Sequence, residues 1–372
     1  MFITILIFLV VLSVLVFAHE LGHFWTARRF GVKAEEFGFG FPPRALGVYK
    51  NKNGKWLRLL GNKSIDELTG DEIPADTVYS LNWLPMGGFV KIKGENGNDR
   101  EDADSFGAQK IWKRVVILSA GVTMNIILAF VLFTACFVIG APQSVTEGGR
   151  IQISEIVKDS PAERAGLITS DVIKGADGQT FKNIADVQNY IGAKADQDVA
   201  LEITRGDTPL TVSVRPAISS GDKAVMGVGL DQVDNISYPF FKAIWEGFKH
   251  TFLILWFIIV AFFGLIRDLI VGTGAGDAVG GPIKIAQLTG EAARYGFTNL
   301  LNFTALLSLN LAVINFLPFP ALDGGRVWFL LVEKIRGKAI NRDAEAIVHN
   351  IGFLILMALI VLVTYKDIAR MF

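Results

Sequence analysis

The chain begins with MFITILIFLVVLSVLVFAHELGH (residues 1–23), in which residues 1–18 carry no charge and ionisable side chains follow at once. A helix of about 20 apolar residues crosses the roughly 30 Å hydrocarbon core of a bilayer. This stretch therefore predicts a membrane-spanning helix. The alternative is a secretory signal peptide cleaved near Ala18. A signal peptide normally carries Lys or Arg before its apolar stretch, and this sequence has neither there.

Four further stretches also lack Lys, Arg, Asp and Glu: residues 115–139, 251–266, 297–322 and 346–365. Three of them reach or nearly reach the length of a membrane span, whereas 251–266 falls short. Charged residues make up 19% of the chain and hydrophobic residues 51%; soluble domains carry about 25% charged residues. The sequence therefore predicts an integral membrane protein.

Net charge and cysteine content exclude two other classes of protein. The chain has 36 basic and 36 acidic residues, and this balance removes the electrostatic case for nucleic-acid binding, which requires a concentrated basic surface. Its single cysteine, Cys136, cannot form an internal disulfide.

Basic residues predict the orientation of the spans, because cytoplasmic loops are enriched in Lys and Arg. The loops 24–113 and 326–342 contain clusters of basic residues and are expected in the cytoplasm. Residues 141–231 hold nine basic and thirteen acidic residues and are expected outside. If 251–266 crossed the bilayer, the cluster at 326–342 would lie outside. We therefore expect a polytopic α-helical protein with about four transmembrane helices and a membrane-associated helix at 251–266.

The segment 141–232 predicts one small β-rich domain, inserted between two membrane parts, 1–140 and 233–372. Alternating apolar residues predict a strand at 149–157, and a Ser-Pro pair followed by a glycine predicts a short helix at 160–167. The remaining predicted elements are a strand from Asp171 with a turn at Asp177 and Gly178, a helix at 184–193, and strands at 199–204 and 210–215.

The residues HELGH (19–23) have the pattern HExxH. On a helix the imidazoles of His19 and His23 share one face and can bind one Zn²⁺, with Glu20 beside them as a candidate general base. Ionisable groups at membrane depth cost several kcal/mol unless they are compensated, which disfavours a chance occurrence. The alternative is that the span ends at Ala18 and the motif is simply exposed to water.

A third metal ligand is needed, because a catalytic zinc usually has three protein ligands and a water. The remaining histidines, His250 and His349, lie at the margins of apolar runs and are expected to be interfacial residues or helix caps. A carboxylate is the other choice, and Asp323 directly follows the run 297–322. In the expected orientation this run and the first span end on the same side, which brings Asp323 to the depth of the HExxH motif.

These residues carry a resemblance to a known family. HELGH (19–23), followed by NFLPFPALDGG (315–325), resembles the site-2 protease signatures HExxH and N-x-x-P-x-P-x-LDG. The order of segments is similar to the bacterial RseP type over nearly the whole chain. The resemblance implies a zinc-dependent intramembrane endopeptidase. One Zn²⁺ per chain would be held by the two histidines and Asp323, with Glu20 as the catalytic residue.

The same resemblance implies partners and a location. Expected substrates are single-span membrane proteins, such as an anti-sigma factor after an earlier cut outside the membrane, or remnant signal peptides. The protein is expected in the bacterial plasma membrane, surrounded by lipid, with the inserted domain outside and the zinc site towards the cytoplasm. Two alternatives remain: a catalytically inactive membrane adaptor, and a channel or transporter, for which ionisable residues would be spread over several spans.

Shorter matches concern substrate binding. FGFGF (37–41) resembles a membrane-dipping segment of the family, and WLPMGGFVKIK (83–93) resembles its re-entrant β-hairpin on the cytoplasmic side, with Gly87 and Gly88 at the turn. The resemblance implies that this hairpin holds unwound substrate as an added strand. An ordinary cytoplasmic hairpin is the alternative.

Two asparagines match the family at lower specificity. Asn125 lies at the position of a second-span motif, and Asn315 begins the LDG signature. The resemblance implies that Asn315 orients the substrate or the oxyanion, and both residues are expected near the reacting groups. A polar contact between spans is the alternative.

The inserted segment carries a resemblance of its own. SPAERAGL (160–167), followed by DVI and DGQ, resembles the PDZ domains of bacterial proteases, with Ser170 where a glycine is usual. Such domains bind chain termini by adding a strand to a sheet edge, and a Gly-rich loop holds the carboxylate. The resemblance implies that this loop lies at Gly148, Gly149 and Arg150. A domain that serves only as a spacer or lid is the alternative.

Overall fold

The structure is a computed structural model that describes residues 2–61, 63, 67–95, 101–145, 148–206, 208–218, 224–272, 280–338 and 340–369. It divides into two compact units, a membrane unit (Met1–Ala135 and Ile244–Phe372) and an inserted domain (Cys136–Ala243). The elements in chain order are α1 (Phe2–Arg29), β1 (Ala34–Lys50), β2 (Trp56–Leu60), β3 (Val78–Ile92), α2 (Ile111–Ile139), β4 (Ala141–Ser144), β5 (Arg150–Ile156), α3 (Pro161–Arg164), β6 (Val172–Ala176), β7 (Gln179–Thr180), α4 (Ile184–Gly192), β8 (Val199–Arg205), β9 (Thr208–Val214), β10 (Ala217–Ile218), β11 (Ala224–Val225), β12 (Val228–Ile236), α5 (Phe240–Val271), α6 (Pro282–Arg294), α7 (Phe297–Phe316), α8 (Asp323–Arg336) and α9 (Arg342–Ala369).

Five helices, α1, α2, α5, α7 and α9, are each long and apolar enough to cross a membrane. Each of them overlaps one of the five uncharged runs of the sequence, although α7 ends at Phe316 and leaves residues 317–322 of its run outside the helix. Many of their large apolar side chains are exposed, such as Phe263 on α5 and Leu354 on α9. A helix that is apolar on all sides is either buried or in contact with lipid, so these exposed faces indicate a multi-pass membrane protein.

Residues 251–266 are not the short element expected from the length of their uncharged run. They form the middle of α5, a helix of 32 residues that extends for about 48 Å, because residues 240–250 and 267–271 continue it despite their charges. This helix is therefore long enough to cross a membrane. That this helix lies at the membrane interface stays a prediction.

Two contacts show the relative direction of α1 and α7. Gly290 of α6, the helix before α7, packs against Thr4 at the start of α1. Asp323, which follows α7, lies beside His19 in the later part of α1. Helices α1 and α7 therefore run in the same direction, and the side of the membrane on which each of them ends stays a prediction.

The sheet of the membrane unit has the strand order β2-β1-β3. β3 turns back at Gly87, where φ is +80°, and Phe37 of β1 pairs with both Tyr79 and Val90 of β3. The predicted hairpin is thus present in altered form, because its two arms pair with β1, which lies between them. Among the described residues no further strand pairs with the second arm (88–92), so it is an edge of the sheet.

The inserted domain contains a sheet of order β4-β12-β5-β6-β8-β9, with β7 beside β6. Its core combines alternate strand residues with one face of α4, including Ile151, Ile173, Val187 and Leu201. β5, β8, β9 and α4 lie where the sequence predicts strands and a helix. The expected boundary at residue 232 falls inside β12, which pairs with both β4 and β5. The domain therefore continues beyond that residue.

Ser170 occupies a backbone conformation that favours glycine, with φ of +72°. Its N–H donates to the carbonyl of Ile153 at 2.7 Å, a bond that any residue can make. Left-handed backbone costs a non-glycine residue roughly 1–2 kcal/mol, and the extra entropy of an unfolded glycine offsets about 0.5–1 kcal/mol of that. Ser170→Gly is therefore expected to stabilise the inserted domain by about 0.5–1 kcal/mol.

The measurement is hydrogen exchange of the core amides of the inserted domain in the full-length protein. Asp177→Gly is the matched control. Asp177 has a φ of +49°, but its carboxylate accepts bonds from the N–H of Ala200 and the hydroxyl of Tyr190, so its replacement should destabilise. Faster core exchange in Ser170→Gly would contradict the strain argument.

Candidate metal centre

Three side chains that are distant in the sequence meet at one point of the membrane unit. Oδ2 of Asp323 lies 2.9 Å from Nε2 of His19 and 3.3 Å from Nε2 of His23, and the two Nε2 atoms are 3.2 Å apart. Both histidines are buried and Asp323 is half-buried. In the part of the chain that the structure describes, no other three His, Cys, Asp or Glu side chains bring their ligand atoms together in this way.

The distances fit a tetrahedral zinc site. Zinc bonds of about 2.0–2.1 Å place neighbouring ligand atoms of a tetrahedron about 3.3 Å apart. The three separations of 2.9, 3.2 and 3.3 Å are close to that value. Imidazole and carboxylate are both zinc ligands, and three protein ligands leave a fourth position for water or substrate. The residues present therefore fit a catalytic zinc ion.

Close packing of α1 on α2 supports the two histidines. His19 and His23 share one face of α1 because they are one helical turn apart. His23 donates its Nδ1–H to the carbonyl of Ile117 at 2.9 Å, which fixes its tautomer and directs Nε2 towards the site. The two helices can approach this closely because Gly22 and Gly121 have no side chains. A Cβ at Gly22 would overlap the backbone of α2, and a Cβ at Gly121 would overlap both imidazoles.

Replacing Gly121 by Ala is expected to weaken zinc binding by about 10–100-fold, the usual cost of a change beside the metal ligands. The added methyl group occupies the space of the two imidazole rings and displaces their nitrogens. Zinc affinity is measured by chelator competition on the purified chain. Gly264→Ala on α5, where no described atom beyond the adjacent backbone of its own helix lies within 4 Å of the added methyl, should bind zinc like the wild type. Unchanged affinity in Gly121→Ala would show that the rings tolerate the methyl group.

Asp323 reaches the site through a break between two helices. α7 ends at Phe316 and α8 begins at Asp323, since the two prolines between them disfavour a continuous helix. Gly324 and Gly325 bring the first turn of α8 directly onto carbonyl groups of the intervening loop, where a Cβ would overlap. The break thus turns the carboxylate back towards α1.

The two remaining histidines lie outside the ligand cluster. His349 of α9 accepts a hydrogen bond at Nδ1 from the N–H of Ala321, at 3.0 Å, and Ala321 has a φ of +75°. His349 therefore supports the loop that carries the carboxylate ligand, a role different from the expected interfacial position or helix cap. His250 packs its ring against Phe133, with 4.7 Å between centroids.

Glu20 lies between two cavities that Asp323 also lines. One cavity, of about 170 Å³, is bounded by Phe89 and Val90 of the second β3 arm. The other, of about 210 Å³, is bounded by Asn315 of α7. The N–H of Val90 donates to Oε2 of Glu20 at 3.1 Å. The carboxylate of Glu20 is thus beside both the ligand cluster and the edge of the sheet.

The other predicted site residues lie at different distances from the reacting groups. Asn315 lines a cavity together with Glu20. Asn125 is completely buried and contacts His19, so it lies behind the ligand. A Cβ at Gly87 would overlap a side chain of α1, and one at Gly88 would approach the carbonyl of a β1 residue. These two glycines therefore position β3 and line neither cavity.

The predicted carboxylate loop of the inserted domain, Gly148, Gly149 and Arg150, leads into β5. A side chain of β12 donates to the carbonyl of Gly148, and Gly149 packs against a β12 carbonyl. Among the described residues β4 pairs with β12 only at 233–236. The part of β12 at 228–231 pairs with β5 on one side, and its other side is an unpaired edge of the sheet. The predicted loop thus lies at the paired end of β12, away from the edge to which a strand could add.

Sequence reasoning missed several residues that build the site. Glycines within apolar helices, such as Gly22 and Gly121, indicate close approach of another backbone. The sequence therefore contains a signal from which the contact between these helices could have been predicted. The contact between His349 and Ala321 had no comparable signal, because it depends on which helix packs against the loop.

Solved PDZ domains are similar to part of the chain. The PDZ domain of an SdrC-like protein from Listeria monocytogenes is 24% identical, with a TM-score of 0.21, over 24% of this chain and 93% of that domain. The HtrA3 PDZ domain is 26% identical, with a TM-score of 0.18, over 23% of this chain and 67% of that one.

Similarity to known enzymes extends over nearly the whole chain. The family model for Peptidase family M50 matches residues 7–60 and 65–359. A Clostridium perfringens protein that carries a zinc metalloprotease name is 33% identical over 361 residues, 97% of each chain. Zinc metalloprotease RasP of Bacillus licheniformis and regulator of sigma-W protease RasP of Bacillus subtilis are each 28% identical, over 99% of both chains. The chain therefore belongs to peptidase family M50, the site-2 protease family, and is a zinc metalloprotease of that type.

Proposed function

We propose that this protein hydrolyses peptide bonds within the transmembrane segments of single-span membrane proteins. The observation that carries the proposal is the convergence of Asp323 with His19 and His23 beside Glu20. The two histidines and Glu20 lie on α1, a helix apolar enough to cross a membrane. Ionisable groups at such depth are costly, and proteins retain them mainly for function.

The proposed roles follow from the chemistry of each group. His19, His23 and Asp323 hold the metal, with one ion per chain. When bound, zinc polarises the carbonyl of the scissile bond and lowers the pKa of water. Glu20 accepts the proton of the attacking water and passes it to the leaving amine. The N–H of Val90 orients the Glu20 carboxylate before substrate binds.

The second β3 arm (88–92) is the proposed binding edge for substrate. A transmembrane helix must unwind before one of its peptide bonds can reach the catalytic groups, and its freed N–H and C=O groups then need partners. An edge strand supplies such partners, and this arm borders the cavity of Glu20 through Phe89 and Val90. Asn315, at the other cavity, is proposed to orient the substrate or the oxyanion.

Charge at the helix ends supports an orientation. Arg28 and Arg29 end α1, and Lys334 and Arg336 lie in the last turn of α8. Because cytoplasmic segments are enriched in basic residues, we place the zinc site towards the cytoplasm and the inserted domain outside. One relative is named a regulator of sigma-W protease. We therefore infer an anti-sigma factor already cut outside the membrane, or remnant signal peptides, as substrates.

The proposal is tested with the full-length protein in lipid nanodiscs and a single-span substrate tagged at both ends. Mass spectrometry of the products locates the cut. We expect cleavage inside the apolar segment, its loss on metal chelation and its return with added zinc. An inactive adaptor predicts intact substrate even with zinc. Cleavage confined to regions outside the apolar segment would contradict an intramembrane site.

A further inference from the structure

We propose that the side-chain amide of Asn125 positions the zinc ligand His19 by accepting a hydrogen bond from its Nδ1–H. This inference rests on the proposed metal centre. In the structure Nδ2 of Asn125 lies 3.3 Å from Nδ1 of His19, and Asn125 is completely buried. The amide therefore meets the imidazole on the side opposite to the metal ligands.

The direction of His19 decides which amide atom must face it. Nε2 of His19 points at Asp323 and at His23, so Nε2 is the nitrogen available to a metal and must be unprotonated. A neutral imidazole then carries its proton on Nδ1 and donates from there. Two donors cannot form a hydrogen bond, so Asn125 has to present its carbonyl oxygen.

A buried polar atom supports the same arrangement. Oδ1 of Asn125 has no hydrogen-bond partner among the described residues. A half-turn of the amide exchanges Oδ1 and Nδ2 with almost no change in shape. The rotated amide gives Oδ1 a partner and gives the Nδ1–H of His19 an acceptor, while Nδ2 moves to the position that Oδ1 held.

The position of Asn125 is held from two sides. Its side chain reaches α1, and its backbone carbonyl accepts a hydrogen bond from the hydroxyl of Ser308 on α7, at 2.8 Å. His23 is held in a comparable way by the carbonyl of Ile117. Both histidines would thus donate their second N–H to a fixed acceptor on α2, which sets the ring orientation and increases the basicity of the ligand nitrogen.

The test measures zinc affinity of the full-length protein by chelator competition, together with the visible spectrum of the cobalt-substituted protein. Asn125→Leu has a similar volume but no acceptor and should lose about 10–100-fold in zinc affinity. Asn125→Asp keeps an acceptor and should bind at least as tightly as the wild type, with a shifted cobalt spectrum. Thr304→Ala on α7, whose hydroxyl donates to the carbonyl of Leu300 in its own helix, should leave affinity and spectrum unchanged.

The outcomes separate this inference from the function on which it rests. If the wild type takes up no zinc, both are overturned. If the wild type binds zinc and Asn125→Leu binds it equally well, only the role of Asn125 is overturned. The role of Asn125 is also overturned if Asn125→Asp loses as much zinc affinity as Asn125→Leu. If Asn125→Leu fails to fold, Asn125→Ala is measured in its place, and the same loss of zinc affinity is expected. Unchanged zinc affinity in Asn125→Ala would likewise overturn the role of Asn125.

Discussion

Replacing Glu20 by Gln is expected to abolish cleavage of a single-span substrate while zinc stays bound. The amide cannot accept a proton, and general-base catalysis contributes about 10²–10⁴-fold, so turnover should fall by at least that factor. Zinc should remain because Glu20 is outside the converging group of ligand atoms. The amide oxygen of the new side chain can still accept the hydrogen bond from Val90, so the local fold should persist.

Turnover of the tagged substrate and zinc content are measured on the same preparations. Glu95→Gln is the matched control, since Glu95 lines the same cavity as Glu20 but is paired with Arg326. An amide at position 95 can still accept a hydrogen bond from Arg326, so activity should stay near that of the wild type. Persistent, chelator-insensitive cleavage by Glu20→Gln would overturn the assignment of Glu20 as the base.

Replacing Asp323 by Asn is expected to remove zinc and activity together. Structural zinc sites contribute about 10–16 kcal/mol of binding free energy at neutral pH. Loss of one of three protein ligands then corresponds to roughly 3–5 kcal/mol, or about 10²–10⁴-fold in affinity. The substitution changes the shape of the side chain very little, so the loss should come from the missing charge and ligand strength.

Zinc affinity by chelator competition is again the measurement. Glu333→Gln on the same helix is the control, because Glu333 pairs with Arg114 at 3.2 Å and lies outside the ligand group. It should bind zinc like the wild type. Wild-type affinity in Asp323→Asn would remove Asp323 from the ligand set. The two main variants are both expected to be inactive, but only Glu20→Gln should keep its metal.

The features that could be predicted from the sequence are those set by local patterns. HExxH places two imidazoles on one face of a single helix, and the LDG signature ends an apolar run. The two histidine ligands and the aspartate ligand could therefore all be predicted from the sequence. The strands of the inserted domain follow from alternating apolar residues, which is why β5, β8 and β9 lie where they were expected.

Two features show where local patterns fail. The length of the uncharged run 251–266 is shorter than the length of α5, because charged residues such as Lys249 and Arg267 continue the same helix. Long cationic side chains can extend towards water from within an apolar helix. The hairpin pattern at 83–93 did not reveal that β1 lies between its arms. Pairing partners depend on register and topology, which alternation within one strand does not specify.

By itself the sequence determined the chemistry available at each depth: an uncharged helix, two histidines and a glutamate near its end, and an acid after a later apolar run. Only the tertiary structure decided which residues meet. Helical periodicity defines the faces of a helix but not the neighbour that each face contacts. Here glycine contacts let α2 approach α1, so Asn125 lies behind His19, and the break before α8 turns Asp323 into the site.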